Sequence, residues 1–257
     1  MKKFLLTLLI GFGISSCNHS VIELQPISEA NYSVNSIASL ELNEALLNSP
    51  LRLMAATTSG KEEVPYQRNE NIIYWKTSSD VSSYNLEKEK PMDYTAVQLV
   101  ESDEQLEVYQ NGTKIIGYQT ALKGVPEGVS EVYQRNGYLH PVNTPKGKRL
   151  TRIQPEDHYH HYGIWNPWTH TLFEGDTLDF WNLNKKQGTV RFAKLLKKNT
   201  GPVFSEIEVL HEHVVLKDGA NKVALNEIQN IKTIPLSDNQ YLMDITISYE
   251  CATKEPF

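Results

Sequence analysis

Cysteine is nearly absent: Cys17 and Cys251 are the two among 257 residues. Long cationic runs are also missing. Lys185-Lys186 and Lys197-Lys198 are isolated pairs that read as solvated surface, and the formal net charge is -6. That balance excludes nucleic acid as an expected partner. Beyond the N-terminus no stretch approaches the ~18 consecutive apolar residues of a membrane span. Helical periodicity is scarce. Residues 40–47 could form two turns, stopped by Asn48-Ser49-Pro50, and no internal repeat is visible. A hydrophobic fraction of 40% still supplies a sizeable core, enough for one large domain or two smaller ones.

The N-terminus carries its own pattern. Met1-Lys2-Lys3 precedes an apolar stretch over residues 4–14, too short for a span and suited to a secretory signal. Ile14-Ser15-Ser16-Cys17 resembles a bacterial lipobox, so residues 1–17 are expected to be a lipoprotein signal peptide with Cys17 the lipidated residue. The alternative is an ordinary signal with a bystander cysteine. Lipidation would anchor the protein in the cell envelope, at the outer membrane, and Asn18-His19-Ser20 favours a periplasm-facing anchor. Cys251 would then have no disulfide partner and is expected to be a small buried hydrophobe. Residues 18–28 lack a clear period and read as a tether.

Strand signals dominate the remainder of the chain. Ile72-Ile73-Tyr74-Trp75 is β-branched and aromatic. Residues 94–100 and 105–109 read as strands, and Asn111-Gly112 is a hairpin turn with its return strand over 113–119. Residues 189–195, 204–216 (ending at Lys217-Asp218-Gly219) and 240–251 extend the pattern. In the last, Tyr241, Met243, Ile245, Ile247 and Tyr249 share one face. The polar stretch over 76–91 suggests a domain boundary. The expectation is an all-β chain of β-sandwich architecture, divided into residues 29–90 and 91–257. Because residues 240–251 form a one-sided apolar strand close to the end of the sequence, the second domain is expected to be truncated and its edge to be exposed.

Chemistry concentrates in residues 155–170. Four of eight histidines, two adjacent carboxylates and two of four tryptophans fall there. Imidazole, carboxylate and indole together suit a metal site or a pocket for a polar ring such as a sugar. In an extended chain His158 and His160 share a face and Asp157 and His161 the other. In a helical turn Asp157 neighbours His161, and His158 faces His161. Either arrangement supplies two potential ligands, so the rest of a metal set would come from His140, Asp179, or the pair His211 and His213. The spacing matches no standard zinc motif, and a divalent metal at the His cluster stays one reading among several. Asp179 lies between apolar residues, where it either orients a histidine or substrate or caps a loop.

Four segments occur in a telling order: Gly137-Tyr138-Leu139-His140-Pro141-Val142, Thr144-Pro145-Lys146-Gly147-Lys148, Asp157-His158-Tyr159-His160-His161-Tyr162-Gly163-Ile164-Trp165 and Asp179-Phe180-Trp181-Asn182. Together they resemble the bacterial PmoA-like family of uncharacterised proteins, over residues 93–257. The family's signature has Pro where this chain has Tyr159, and Arg where it has Tyr162. The resemblance implies a small N-terminal β-sandwich over 29–90 and, over 91–257, an antiparallel supersandwich-like domain related to the galactose-mutarotase supersandwich, in envelope lipoproteins of bacteria that consume polysaccharides. The family's label of methane oxygenase is rejected, since a membrane subunit of that kind needs several apolar spans. Residues 51–75 look like a small β-sandwich module that often precedes such domains, with Trp75 in its core.

Three readings stand. In the first, a carbohydrate-active hydrolase, lyase or epimerase uses His158, His160, His161, Asp157 and Asp179 for general acid–base chemistry. His140, Trp165, Trp168, Trp181 and Asn182 would contact the sugar. In the second, a non-catalytic carbohydrate-binding lipoprotein uses the same aromatics. In the third, the histidines are structural. The His cluster, Asp179 and Trp165 are expected to come together in the fold, because so many polar side chains must satisfy one another.

Overall fold

The computed structural model describes residues 22–24, 36–94, 97–217 and 220–254. Cys17, the lipobox and residues 255–257 lie outside the described residues, as do Asp218 and Gly219 of one expected turn. The chain divides into two compact units, one reaching to Ala96 and including Gly201–Val203, the other formed by Val97–Thr200 and the residues from Phe204 onward. Among the described residues no helix is long and apolar enough to cross a membrane.

The first unit contains β1 (Ile22–Leu24), β2 (Ile37–Glu41), a single helical turn α1 (Glu44–Leu47), β3 (Arg52–Thr57), β4 (Gly60–Glu63), β5 (Tyr66–Asn69), β6 (Ile72–Lys76) and β7 (Val81–Glu87). Two antiparallel sheets result, in the orders β1-β7-β3-β4 and β2-β6-β5. Alternation supplies the core: Leu40, Leu53, Ala55, Ile73, Trp75, Tyr84 and Leu86 pack together. Three expectations are corrected. Ile22–Leu24, within the expected tether, is a strand paired with β7. Leu40 belongs to β2, so the helix is one turn and not two. The polar stretch over 76–91 is no linker along its length, because Tyr84 and Leu86 of β7 point into the core, alternating with half-buried Ser83 and Asn85.

The second unit begins with β8 (Val97–Glu101), β9 (Gln105–Gln110), β10 (Thr113–Gln119) and β11 (Tyr138–Val142), in the order β11-β10-β9-β8. Asn111 and Gly112 both take positive φ, 49° and 77°, which closes the β9–β10 hairpin as their residue types demand. A small hairpin, β12 (Thr171–Phe173) with β13 (Asp176–Leu178), succeeds the histidine-rich segment. Then come β14 (Gly188–Asn199), β15 (Ser205–Lys217), β16 (Ala220–Ser237) and β17 (Gln240–Cys251), paired antiparallel in sequence order. Tyr118 of β10 stacks on His211 of β15 and meets Phe192 of β14 edge-on, so the two four-stranded sheets face each other. Cys251 is exposed at the end of the edge strand β17 and is not the buried hydrophobe expected; alternation puts it on the same face as Tyr249, which is exposed as well.

Candidate functional site

The histidine-rich segment is neither strand nor helix. The bridge Ile153↔Tyr162 joins its two ends to each other, and Leu139↔Ile164 ties it to β11. Between them the backbone makes two successive tight turns, with His158 N–H donating to the Pro155 carbonyl at 2.8 Å and His161 N–H to the His158 carbonyl at 2.9 Å. Gln154 N–H closes the loop on the His161 carbonyl at 2.8 Å. Gly163 makes the docking possible. Its φ is +42°, and a Cβ there would lie 2.0 Å from the Leu139 carbonyl oxygen.

These turns gather the imidazoles. His158 stacks on His161 with centroids 4.8 Å apart, and His160 meets His161 edge-on at 4.5 Å. His161 lies against Trp181 at 5.9 Å, and Trp181 against Trp165 at 5.3 Å. Burial and the charges of His161 and His158 push the His160 pKa below its ordinary value, outweighing the opposite pull of Asp179. His160 is therefore a free base at neutral pH. Asp157 reaches only His158 Nδ1, at 3.0 Å, and its side chain is 69% exposed.

Asp179 is buried and organises the next loop. Its Oδ1 accepts from the Trp181 and Asn182 backbone N–H groups at 2.9 and 2.8 Å. Its Oδ2 accepts from Thr169 Oγ1, Asn182 Nδ2 and Lys185 Nζ at 3.0, 2.8 and 2.7 Å. Burial pushes its pKa up, but these donors outweigh burial and hold the carboxyl well below the usual range. Gly188 packs against Phe180 so closely that a Cβ would sit 2.6 Å from the ring, which seats this loop on β14.

Other expected members find partners other than the three imidazoles. His140 Nδ1 bonds Thr151 Oγ1 at 2.9 Å. Trp168 packs on Tyr249 at 4.8 Å and on His213 at 5.6 Å. His211 and His213, candidate metal ligands by sequence, instead face Glu227 of β16. His213 Nε2 lies 2.6 Å from Glu227 Oε2, and His211 Nδ1 lies 3.4 Å from Oε1. Gln229 also donates to Glu227, and the Tyr118 hydroxyl bonds His211 Nε2. Burial pushes the Glu227 carboxyl up, yet both imidazoles bring it down to about 2. An ionised Glu227 takes N–H from each ring, which leaves His211 Nε2 to accept from the Tyr118 hydroxyl. Among the described residues no group of three or more His, Cys, Asp or Glu side chains could hold a metal ion.

Arg135, absent from the expected set, lies between Trp165 and β14. Its guanidinium lies 3.9 Å from the Trp165 ring centroid, and Nη2 donates to the Val190 carbonyl at 2.9 Å. It sits in a loop with no periodicity, so no sequence signal marks it. Tyr118 and Glu227 were equally silent, whereas His211 and His213 were visible as an i,i+2 pair on a strand.

Residues 105–257 match a family described as a family of unknown function, DUF6807. The chain belongs to that family. The matched stretch starts at β9 and contains the histidine loop, the Asp179 loop, Arg135 and Glu227 alike. No curated protein matches the chain.

Proposed function

We propose that this member of the DUF6807 family binds carbohydrate on the face formed by His158, His160, His161, Trp181 and Trp165. An imidazole there, His160 first, serves as general base or acid toward the bound sugar. One observation carries the reading: three contiguous imidazoles abut two partly exposed indoles on a loop held at both ends. Indole faces take the apolar C–H side of a sugar, and imidazoles take its hydroxyls. Asn182, held by Asp179, adds an amide beside Trp181. A glycan array, with NMR of the bound glycans for new anomeric or unsaturated signals, tests the proposal. His160→Ala should abolish turnover and spare binding, and Trp181→Ala should weaken binding. An array without any bound glycan would end the carbohydrate reading.

A non-catalytic binding protein is the second reading. It is favoured by the carboxylates: Asp179 is saturated by five donors and Asp157 turns to solvent, so neither is set as one of a catalytic pair. In that case His160→Ala leaves every signal unchanged. We also place the chain with the PmoA-like proteins and the galactose-mutarotase supersandwich. All four motif segments fall inside the matched stretch, and two facing antiparallel sheets agree with that kinship. Lipidation at Cys17 would anchor the protein at the outer membrane of the envelope. Cys17→Ser should release it from the membrane fraction, and retention after a high-salt wash would refute the anchor.

A further inference from the structure

Arg135 is 2% exposed, and its Nε and Nη1 have no hydrogen-bond partner within the protein. The Tyr138 hydroxyl, buried beside it, has none either. Glu227 does not answer this need, because its oxygens are engaged by His211, His213 and Gln229 and it acts on Arg135 only at a distance. A buried guanidinium normally has its N–H groups bonded, and its planar donors match a carboxylate. Packing alone would be served as well by an apolar side chain, since buried charges are seldom retained for stability. Trp165, a partly exposed ring of the proposed sugar face, lies over the guanidinium at 3.9 Å and is the group that must move to admit a ligand to it.

We propose that the sugar bound here is acidic, a uronate whose carboxylate bonds Arg135 Nε and Nη1 and the Tyr138 hydroxyl when Trp165 turns aside. This rests on the carbohydrate reading and names the substrate class of the same face. Arg135 and Tyr138 set specificity, and the imidazoles and Trp181 hold the ring. Burial lowers the Arg135 pKa to about 9, which still leaves it charged at neutral pH. A desolvated cation of this kind gains more from an anion than an exposed one does.

Calorimetric titration of the protein with tri-galacturonate, its methyl ester and acetate tests the proposal. The acid should bind more tightly than the ester by on the order of 10-fold or more, as expected for charge-assisted hydrogen bonds. Arg135→Met should erase that preference. Should Arg135→Met fail to fold, Tyr138→Phe removes only an unbonded hydroxyl, and part of the preference should go with it. Equal binding of acid and ester overturns the uronate assignment and leaves the carbohydrate reading standing. A preference that survives Arg135→Met, or is unchanged in Tyr138→Phe, also overturns it. Acetate binding as strongly as the trimer would mean an anion site without sugar recognition, and no binding of either trimer would bring down both readings.

Discussion

Replacing Gly163 with alanine strikes the joint between the histidine loop and the sheet. The backbone there has φ +42°, and the new Cβ would start 2.0 Å from the Leu139 carbonyl oxygen. No rotamer relieves that clash, because both atoms belong to the backbone frame. The loop must lift, which breaks the reciprocal pair Leu139 N–H to Ile164 carbonyl (2.9 Å) and Ile164 N–H to Leu139 carbonyl (3.1 Å). Left-handed backbone costs an alanine roughly 1–2 kcal/mol, and two lost bonds add about 0.5–1.5 kcal/mol each, so the total is roughly 2–5 kcal/mol. Gly175→Ala is the control: φ is +86° with nothing within 4 Å of the added carbon, so only the backbone cost applies. Urea denaturation monitored by tryptophan fluorescence reads both variants. Gly163→Ala should lose at least about 1 kcal/mol more than Gly175→Ala. Equal losses would refute the claim that contact with Leu139 fixes the loop.

The buried charges and the edge strand carry further expectations. The folded Glu227 carboxyl, at about 2, lies below its ordinary 4.5, so its stabilisation is full above pH 4.5 and is lost as pH falls toward 2. His211, pushed below its ordinary 6.5 mainly by burial, acts in the same direction below that pH. Urea midpoints measured across pH should therefore decline on acidification, and Glu227→Gln should flatten the acid limb; an unchanged limb refutes the assignment. Asp179→Ala should cost about 3–5 kcal/mol by orphaning several donors around a buried site, whereas Lys185→Met, at a half-exposed ammonium, should cost less than about 1 kcal/mol. Equal costs in denaturation would show that the ion pair, and not the loop bonds, is what matters. Cys251 is exposed, so in a Cys17→Ser background the native protein should react with a thiol reagent as fast as the unfolded chain. Protection would contradict that exposure.

Much of the second unit was legible. Asn111-Gly112 announces the β9–β10 hairpin because few other pairs accept two positive φ angles, and β17 shows its two-residue period openly. β16 was missed although it is the longest strand. Its buried face carries Glu227, Gln229 and Thr233, so the usual pattern of apolar inside and polar outside is partly inverted. The reason lies in the neighbouring strand, where His211 is register partner to Glu227. Polar residues inside one strand make sense only beside polar residues inside the next, and one-strand periodicity cannot see that. The histidine loop was legible in composition but not in form, since consecutive tight turns fixed by Gly163 and Gln154 carry no period. Arg135 was illegible because its meaning comes from Trp165 and Val190, both distant in sequence.

The three imidazoles lie within four residues of one another, but the polar contacts of the unit around them span the chain. Tyr118 reaches His211 across 93 positions, Asn166 reaches Tyr249 across 83, and Arg135 reaches Val190 across 55. A ribosome therefore releases the histidine loop well before the strands that carry Glu227 and Tyr249 exist. The bond from Asn166 to Tyr249 cannot form until β17 has paired, and long-range β pairing is the slow part of folding an all-β chain. An excised peptide bearing the histidines should lack the contact with Trp181, and in the nascent protein Asn166 and Trp168 meet Tyr249 only once β17 is in place.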